Sequence, residues 1–102
     1  MARIYTNITT SPATTTLIAR GNKEVGRIRK ITIANFSDNA ADAVVNLFLQ
    51  DVAAADYYFF KNVAIPKGAT LMLDDNLAYD GSVYALKMYS TGTAPALTVI
   101  IK

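Results

Sequence analysis

The sequence predicts an all-β protein: an antiparallel β-sandwich of about eight strands, in a jelly-roll-like or Greek-key order. Apolar residues alternate with polar ones along most of the chain, and β-branched or aromatic side chains fill many of the apolar positions. That two-residue period is typical of half-buried strands. Turn-forming clusters separate the runs about every ten residues, a spacing that suits hairpin loops and is too short for parallel crossovers.

The period also predicts which residues face the core. In the run GRIRKITIANF, Ile31 and Ile33 share one face while Ile28 is out of phase with them. A β-bulge near Arg29 and Lys30 would restore the register. The predicted inward residues of the later strands are Val45, Leu47, Leu49, Phe59, Val63, Ile65, Leu71, Leu73, Tyr84, Leu86, Met88, Leu97, Val99 and Ile101.

Four consecutive aromatic residues stand in the stretch YYFFKNVAIPKGATL. Period two places Phe59 on the core face together with Val63 and Ile65, the longer apolar series. Tyr58 and Phe60 then remain on the outward face. Two exposed rings beside polar atoms predict a contact with another subunit, and they make a poor track for nucleic acid.

The start of the chain differs from the rest in amino-acid composition. Residues 1–25 are rich in Thr and are predicted to form either an edge hairpin or an extended docking arm, with weak strands near Ile4–Thr10 and Thr14–Arg20. Residues 26–102 are predicted to form the β-sandwich domain. Both alternatives for the first segment remain open at this point.

The charge is distributed unevenly along the chain. Residues 1–30 hold six basic residues and one acidic residue, and residues 31–102 hold four basic and seven acidic residues, so the two parts carry net charges of +5 and −3. A basic segment can dock on an acidic neighbour. The predicted docking residues are Arg3, Arg20, Lys23, Arg27, Arg29 and Lys30.

No constellation for catalysis or cofactor binding is present in the sequence. His and Cys are both absent, which removes the side chains most used in acid–base and nucleophilic catalysis. Asp74, Asp75 and Asp80 match no EF-hand spacing and are common turn residues. The five glycines are isolated and form no phosphate-binding loop. We therefore expect no enzyme activity, no metal and no cofactor.

Composition also argues against a membrane or a nucleic acid as the partner. No apolar run approaches the roughly 18 residues that a membrane-spanning helix needs, because Asn46 and Gln50 interrupt the most apolar stretch. The net charge is only +2, and an acidic region follows the aromatic run. A hydrophobic fraction of 52% with only 18% charged residues favours a protein whose apolar surface is partly buried against other proteins.

From about Arg27 to its end, the chain resembles a family of small virion structural proteins of tailed bacteriophages, as found in phages of marine bacteria and cyanobacteria. The likeness is carried by RIRKITIAN, AVVNLFLQD, YYFFKNVAIPKGATLMLDD, YALKMYS and the closing ALTVIIK. The resemblance implies a β-sandwich that builds or decorates the virion, with no catalytic residues to carry over. The Thr-rich start lies outside the likeness.

The leading hypothesis is a head decoration or cement protein, made in the host cytoplasm and bound on the capsid surface at capsomer junctions. Its partners would be the major capsid protein or other virion proteins and further copies of itself, with a trimer as one option. The first alternative is a component of the tail, collar, baseplate or a fibre. The second is a carbohydrate-binding module, which the absence of Trp weakens.

Overall fold

The computed structural model describes residues 4–9, 12–21, 28–36, 42–74, 79–92 and 96–102. Within these ranges every regular element is a β-strand, as the two-residue period predicted. The eight strands are β1 (Ile4–Ile8), β2 (Ala13–Ile18), β3 (Ile31–Asn35), β4 (Ala43–Gln50), β5 (Asp56–Ile65), β6 (Thr70–Leu73), β7 (Ala85–Thr91) and β8 (Leu97–Ile101).

The strands form two four-stranded antiparallel sheets. Sheet A has the order β1-β8-β3-β6, and sheet B has the order β2-β7-β4-β5. The first strand pairs with the last, the second with the seventh, the third with the sixth and the fourth with the fifth. This is the pattern of one long hairpin rolled up on itself, which is the jelly roll. The predicted fold class is confirmed.

The core lies between the sheets and is almost wholly aliphatic. Alternate residues of each strand point into it, because successive side chains of a strand point to opposite faces. Sheet A contributes Ile31 and Ile33 from its inner strand β3, and sheet B contributes Val45 and Leu47 from β4, all at most 1% exposed. The other buried apolar residues of the core cluster are Ile8, Leu17, Ile18, Ile28, Ala43, Ile65, Leu86, Met88, Leu97, Val99 and Ile101.

The bulge predicted before β3 is present. The backbone N–H groups of Arg29 and Lys30 both donate to the carbonyl of Lys102, at 2.8 and 3.3 Å. Two residues of one strand therefore oppose one residue of the other, which defines a bulge. The extra residue lets Ile28 enter the same core as Ile31, although the two are out of phase in the sequence.

The N-terminal strands are edge strands of different sheets. β1 pairs with β8 in sheet A, and β2 pairs with β7 in sheet B. The described parts of this segment are therefore paired into the sandwich, and the two strands do not pair with each other as a hairpin would. The predicted boundary after residue 25 lies outside the described residues.

The predicted orientation of Phe59 and Phe60 is wrong. Phe60 is opposite Leu47 and packs against the core, whereas Phe59 is the 37% exposed ring. The β4–β5 register shifts twice, first between Val45 and Leu47 and again between Leu47 and the next residue. Each shift inserts an unpaired residue into β5, so an unbroken two-residue period exchanges the two phenylalanines.

Candidate functional site

A groove of about 380 Å³ runs across the outer face of sheet B. All four strands of the sheet contribute to it, and its lining combines aromatic rings with amide and charged groups. The lining residues are Thr14, Asn46, Phe48, Gln50, Asp56, Tyr58, Lys61, Asn62 and Tyr89. We refer to these nine residues as the groove.

The floor of the groove is built around Asn46, which is only 5% exposed. Its Oδ1 accepts the backbone N–H of Asn62 at 2.9 Å, and its Nδ2 donates to the carbonyl of Tyr89 at 3.3 Å. Asn62 has a φ of +58°, a left-handed conformation that Asn adopts more readily than most residues. The side chain of Asn46 therefore supports the bulge in β5 and ties β5 to β7.

Aromatic side chains form one wall of the groove. Tyr58 faces outward as predicted and is opposite Phe48, with ring centroids 5.4 Å apart and a tilt of 48°. The ammonium of Lys61 lies 4.9 Å from the Tyr58 ring centroid, within the range of a cation–π contact. These two contacts hold the Tyr58 ring in place while 45% of the residue stays exposed.

A row of hydrogen-bonded polar side chains lies beside the aromatic rings and continues to Lys87, next to the groove lining. Gln50 Nε2 donates to Asp56 Oδ1 at 2.9 Å, and the ammonium of Lys87 donates to Gln50 Oε1 at 2.6 Å. The Gln50 amide is thereby fixed in orientation between an acid and a base. A carboxylate has a second oxygen and an ammonium has two further N–H groups, so both ends of this row can bind another polar molecule.

The outer face of sheet A has a different character. Its register is unbroken across all four strands, so Tyr5, Ile100, Thr32 and Met72 form one row. A second row runs beside the first and consists of Asn7, Thr98, Ala34 and Thr70. None of these eight side chains is charged, and we call this grid the uncharged face.

Two of the predicted basic docking residues lie at one end of the sandwich. Arg29 and Lys30 are bonded through the backbone to Lys102, where β3 begins and β8 ends. Both residues come directly before β3 of sheet A, next to one end of the uncharged face. The docking role predicted for them stays a prediction.

Arg20 is already engaged within the chain. Its Nε donates to the carbonyl of Val83 at 2.9 Å, and its Nη2 donates to the carbonyl of Gln50 at 3.2 Å. The guanidinium therefore joins the end of β4 to the β6–β7 connection. The other predicted docking residues, Arg3, Lys23 and Arg27, lie outside the described residues.

The β6–β7 connection contains two groups with shifted pKa values. Burial raises the pKa of Tyr79 to about 12, and its hydroxyl has no hydrogen-bond partner among the described residues. The hydroxyl and the backbone N–H of Ser82 both donate to Asp80 Oδ1, at 2.6 and 3.0 Å, and these bonds lower the pKa of Asp80. The two bonds to Asp80 are those of a turn, in which an Asp side chain accepts from the residue two positions later.

The described ranges contain no group of three or more acidic side chains placed to hold a metal ion. They also contain no helix with the length and apolar character that crossing a bilayer requires.

Sequence reasoning identified Tyr58 but missed the rest of the groove. Asn46 and Gln50 belong to β4 and Tyr89 belongs to β7, which is distant in the sequence, so only the pairing of β7 with β4 brings the three onto one face. The one available signal was phase, because all three occupy outward positions of their strands. Phase alone does not predict which strands are neighbours.

No protein-family model matches the chain, and no curated protein matches it. Among solved structures it is similar to the CBM22-1 xylan-binding domain of Paenibacillus barcinonensis Xyn10C, with a TM-score of 0.42 and 15% identity over 94% of this chain and 65% of that chain. It is also similar to the Yersinia pseudotuberculosis-derived mitogen, with a TM-score of 0.47 and 14% identity over 98% of this chain and 81% of that one.

A third similar structure is that of infectious bursal disease virus, Gt strain, with a TM-score of 0.45 and 9% identity over 99% of this chain. The match covers 28% of the viral chain. This chain thus spans less than two thirds of the xylan-binding chain and less than one third of the viral one. The resemblance to phage virion proteins rests on the sequence motifs.

Proposed function

We propose that this chain is a virion structural protein, a head decoration or cement protein that binds the major capsid protein at capsomer junctions. It acts through protein contacts and not through catalysis. The observation that carries the proposal is the uncharged face of sheet A. Its role would be to add buried area across neighbouring shell subunits and so stabilise the capsid.

The outer face of a two-layer sandwich normally contacts water and carries polar and charged residues. Here Tyr5 is 64% exposed and Met72 is 51% exposed, in one row with Ile100. Depletion of charge together with exposed aromatic and Met side chains is typical of the centre of a protein interface. A nucleic acid would need cations on this face, and a second protein does not.

The area of this face indicates that other residues take part. Four strands by five residues cover roughly 300 Å², whereas a standard interface buries about 800 Å² on each partner. Arg29 and Lys30, which lie beside Lys102 next to this face, would extend the contact. Further copies of the same chain, arranged for example as a trimer, would supply the remainder at each site.

The test is binding to shells assembled from the major capsid protein that the same genome encodes. We expect saturable binding at hundreds of copies per particle, seen by sedimentation and by electron cryomicroscopy. About six or twelve copies would instead place the protein in the tail or neck. Absence from both shells and purified virions would overturn the proposal.

A pair of matched variants tests the face itself. Met72→Lys places a charge on the uncharged face and should weaken shell binding by about tenfold or more, since burying an unpaired ammonium is costly. Val52→Lys makes the same change at a 78% exposed position in the β4–β5 turn and should leave binding unchanged. Equal binding by both variants would exclude the uncharged face as the contact.

The salt dependence of shell binding separates the contribution of the uncharged face from that of Arg29 and Lys30. Contacts through the uncharged face should change little with ionic strength, whereas contacts through Arg29 and Lys30 are screened by salt. We expect the double variant Arg29→Ala, Lys30→Ala to lose only the salt-dependent part of the affinity. A complete loss in that variant would show that the basic residues, and not the face, carry the binding.

A further inference from the structure

We infer that the groove on the outer face of sheet B binds a neutral saccharide chain. The inference goes beyond the proposed docking function and does not rest on it, because the two surfaces are on opposite sides of the sandwich. It stands on three observations: two exposed tyrosines in the lining, a fixed polar chain beside them, and a lining whose charges offset one another.

The aromatic part of the site matches the apolar faces of sugar rings. Tyr58 and Tyr89 are 45% and 38% exposed, and they belong to β5 and β7, on either side of β4. Two rings separated by one strand can each contact a different ring of a bound chain. Tyrosine also offers a hydroxyl at its tip, which suits a ligand that is apolar on its ring faces and polar at its rim.

The polar part of the site matches hydroxyl groups. A sugar hydroxyl both donates and accepts hydrogen bonds, so it needs donors and acceptors side by side. Asp56 and Gln50 line the groove and supply carboxylate and amide groups, and the ammonium of Lys87 lies next to them. The two hydrogen bonds to the Gln50 amide orient all three side chains. A pocket with aromatic walls and a few oriented polar groups is the usual form of a small-ligand site.

Charge distinguishes a saccharide from a nucleic acid. The groove lining holds one cation, Lys61, and one anion, Asp56. Lys61 lies over the Tyr58 ring, and the nearby Lys87 is bonded to Gln50. A phosphate backbone needs several uncompensated cations along its path, and this groove does not supply them. A neutral ligand does not need such cations, so their absence from the lining does not weaken its binding.

The edges of sheet B argue against a peptide as the ligand. A peptide would add as a strand to an edge, which requires an even ladder of backbone groups. Both edge strands of this sheet, β2 and β5, carry a register shift in their pairing. Bulges at an edge disrupt strand addition, so the open face is the more suitable surface for a ligand.

The groove also has the size and the rigidity that an oligosaccharide site requires. Four strands spaced about 4.8 Å apart give the groove a length of about 14 Å, room for about three linked sugar rings. Its volume of about 380 Å³ lies within the usual range for ligand sites. Because Asn46 fixes the floor and Phe48 fixes Tyr58, little ordering is required on binding.

The experiment uses the full chain, fluorescently labelled, on an array of neutral and charged oligosaccharides. The best neutral compound is then titrated by calorimetry against the unmodified chain and four variants. We expect a neutral oligosaccharide of roughly three or more rings to bind. Tyr58→Ala and Tyr89→Ala should each weaken binding by about tenfold or more, and Tyr58→Phe by about threefold or less.

Tyr5→Ala is the matched control, since it removes an exposed tyrosine from the opposite side of the sandwich. It should leave saccharide binding unchanged, and circular dichroism should show that all four variants are folded. Three results would overturn the inference: no neutral oligosaccharide binds, the affinity is unchanged in both Tyr58→Ala and Tyr89→Ala, or only charged oligosaccharides bind. None of these results bears on shell binding, so the two proposals fail separately.

Discussion

The two outer faces of the sandwich come from the same kind of alternating sequence and differ in shape and chemistry. On sheet A the three strand pairings run without a register shift. On sheet B the β2–β7 pairing shifts once and the β4–β5 pairing shifts twice. Bulges bend a strand and increase its local twist. An unbroken register leaves an even grid, whereas bulges re-aim side chains and help to form a groove.

The two outer faces also differ in the side-chain hydrogen bonds that connect their strands. Among the described residues of the uncharged face, a side chain–side chain hydrogen bond joins β8 to β1, from Thr98 Oγ1 to Asn7 Oδ1 at 2.9 Å. The groove is crossed by Asn46 and Gln50, which bond to neighbouring strands. The grid is thus suited to contact with another surface, and the groove is suited to hold a ligand in fixed geometry.

Among the changes that test the difference between the two sheets, Asn46→Val should have the largest effect on stability. The backbone N–H of Asn62 would lose its acceptor, and the free energy of unfolding should fall by about 2–3 kcal/mol. Thr32→Val makes a comparable change in the inner strand β3 of sheet A and should change stability by about 0.5 kcal/mol or less. Urea unfolding of both variants measures the difference, and equal losses would contradict the role given to Asn46.

The next effect concerns the bulge conformation. Asn62 has a φ of +58°, so Asn62→Ala should cost about 1 kcal/mol, because a Cβ without a compensating polar group is disfavoured there. Asn62→Gly tolerates this φ and should cost less than the alanine variant. Thermal unfolding of the two variants gives the comparison. An alanine variant as stable as the glycine variant would show that the left-handed conformation is not required.

A smaller effect is expected in the β6–β7 connection, which belongs to neither face. Burial raises the pKa of Tyr79 to about 12, whereas an unfolded tyrosine titrates near 10. The stabilisation from the neutral phenol is therefore complete below pH 10 and is lost as the pH rises from about 10 to about 12. Tyr79→Phe should remove this alkaline loss.

Thermal unfolding between neutral pH and about pH 11 measures this difference. At neutral pH the variant should be as stable as the wild type or gain about 1 kcal/mol, since a buried hydroxyl without a partner among the described residues is removed. Tyr5→Phe, at an exposed position, is the control and should leave the alkaline loss in place. Both faces should bind as before in the Tyr79 variant.

The smallest effect is expected at Asp80. The Ser82 hydroxyl is the first cause of its lowered pKa, and the Ser82 backbone N–H is the second. Ser82→Ala should raise the pKa of Asp80 toward its ordinary value but not fully, because the N–H remains. The contribution of a lowered carboxyl pKa is present above its unfolded value and fades as the pH falls through the folded one. Carboxyl titration by NMR checks the shift, and an unchanged pKa would contradict it.

Much of the fold could be predicted from local sequence. Phase predicted the strands near Ile4–Thr10 and Thr14–Arg20 and the bulge at Arg29 and Lys30. It also predicted the inward residues of β8, Leu97, Val99 and Ile101. The candidate site could be predicted only in part. Tyr58 was identified, but Phe60 was assigned to the wrong face. A bulge changes which face the following residues occupy, and the position of this bulge depends on the pairing with another strand, which the two-residue period does not contain.

The sequence by itself determined the strand number, the aliphatic core and the absence of His and Cys, because alternation and composition are local properties. Only the tertiary structure decided that β7 and β4 lie side by side, which brings Tyr89 next to Asn46. It also decided that the Asn46 side chain accepts the N–H of Asn62 and so sets the bulge that turns Phe60 inward. These outcomes depend on contacts between residues far apart in the chain, and no local period contains them.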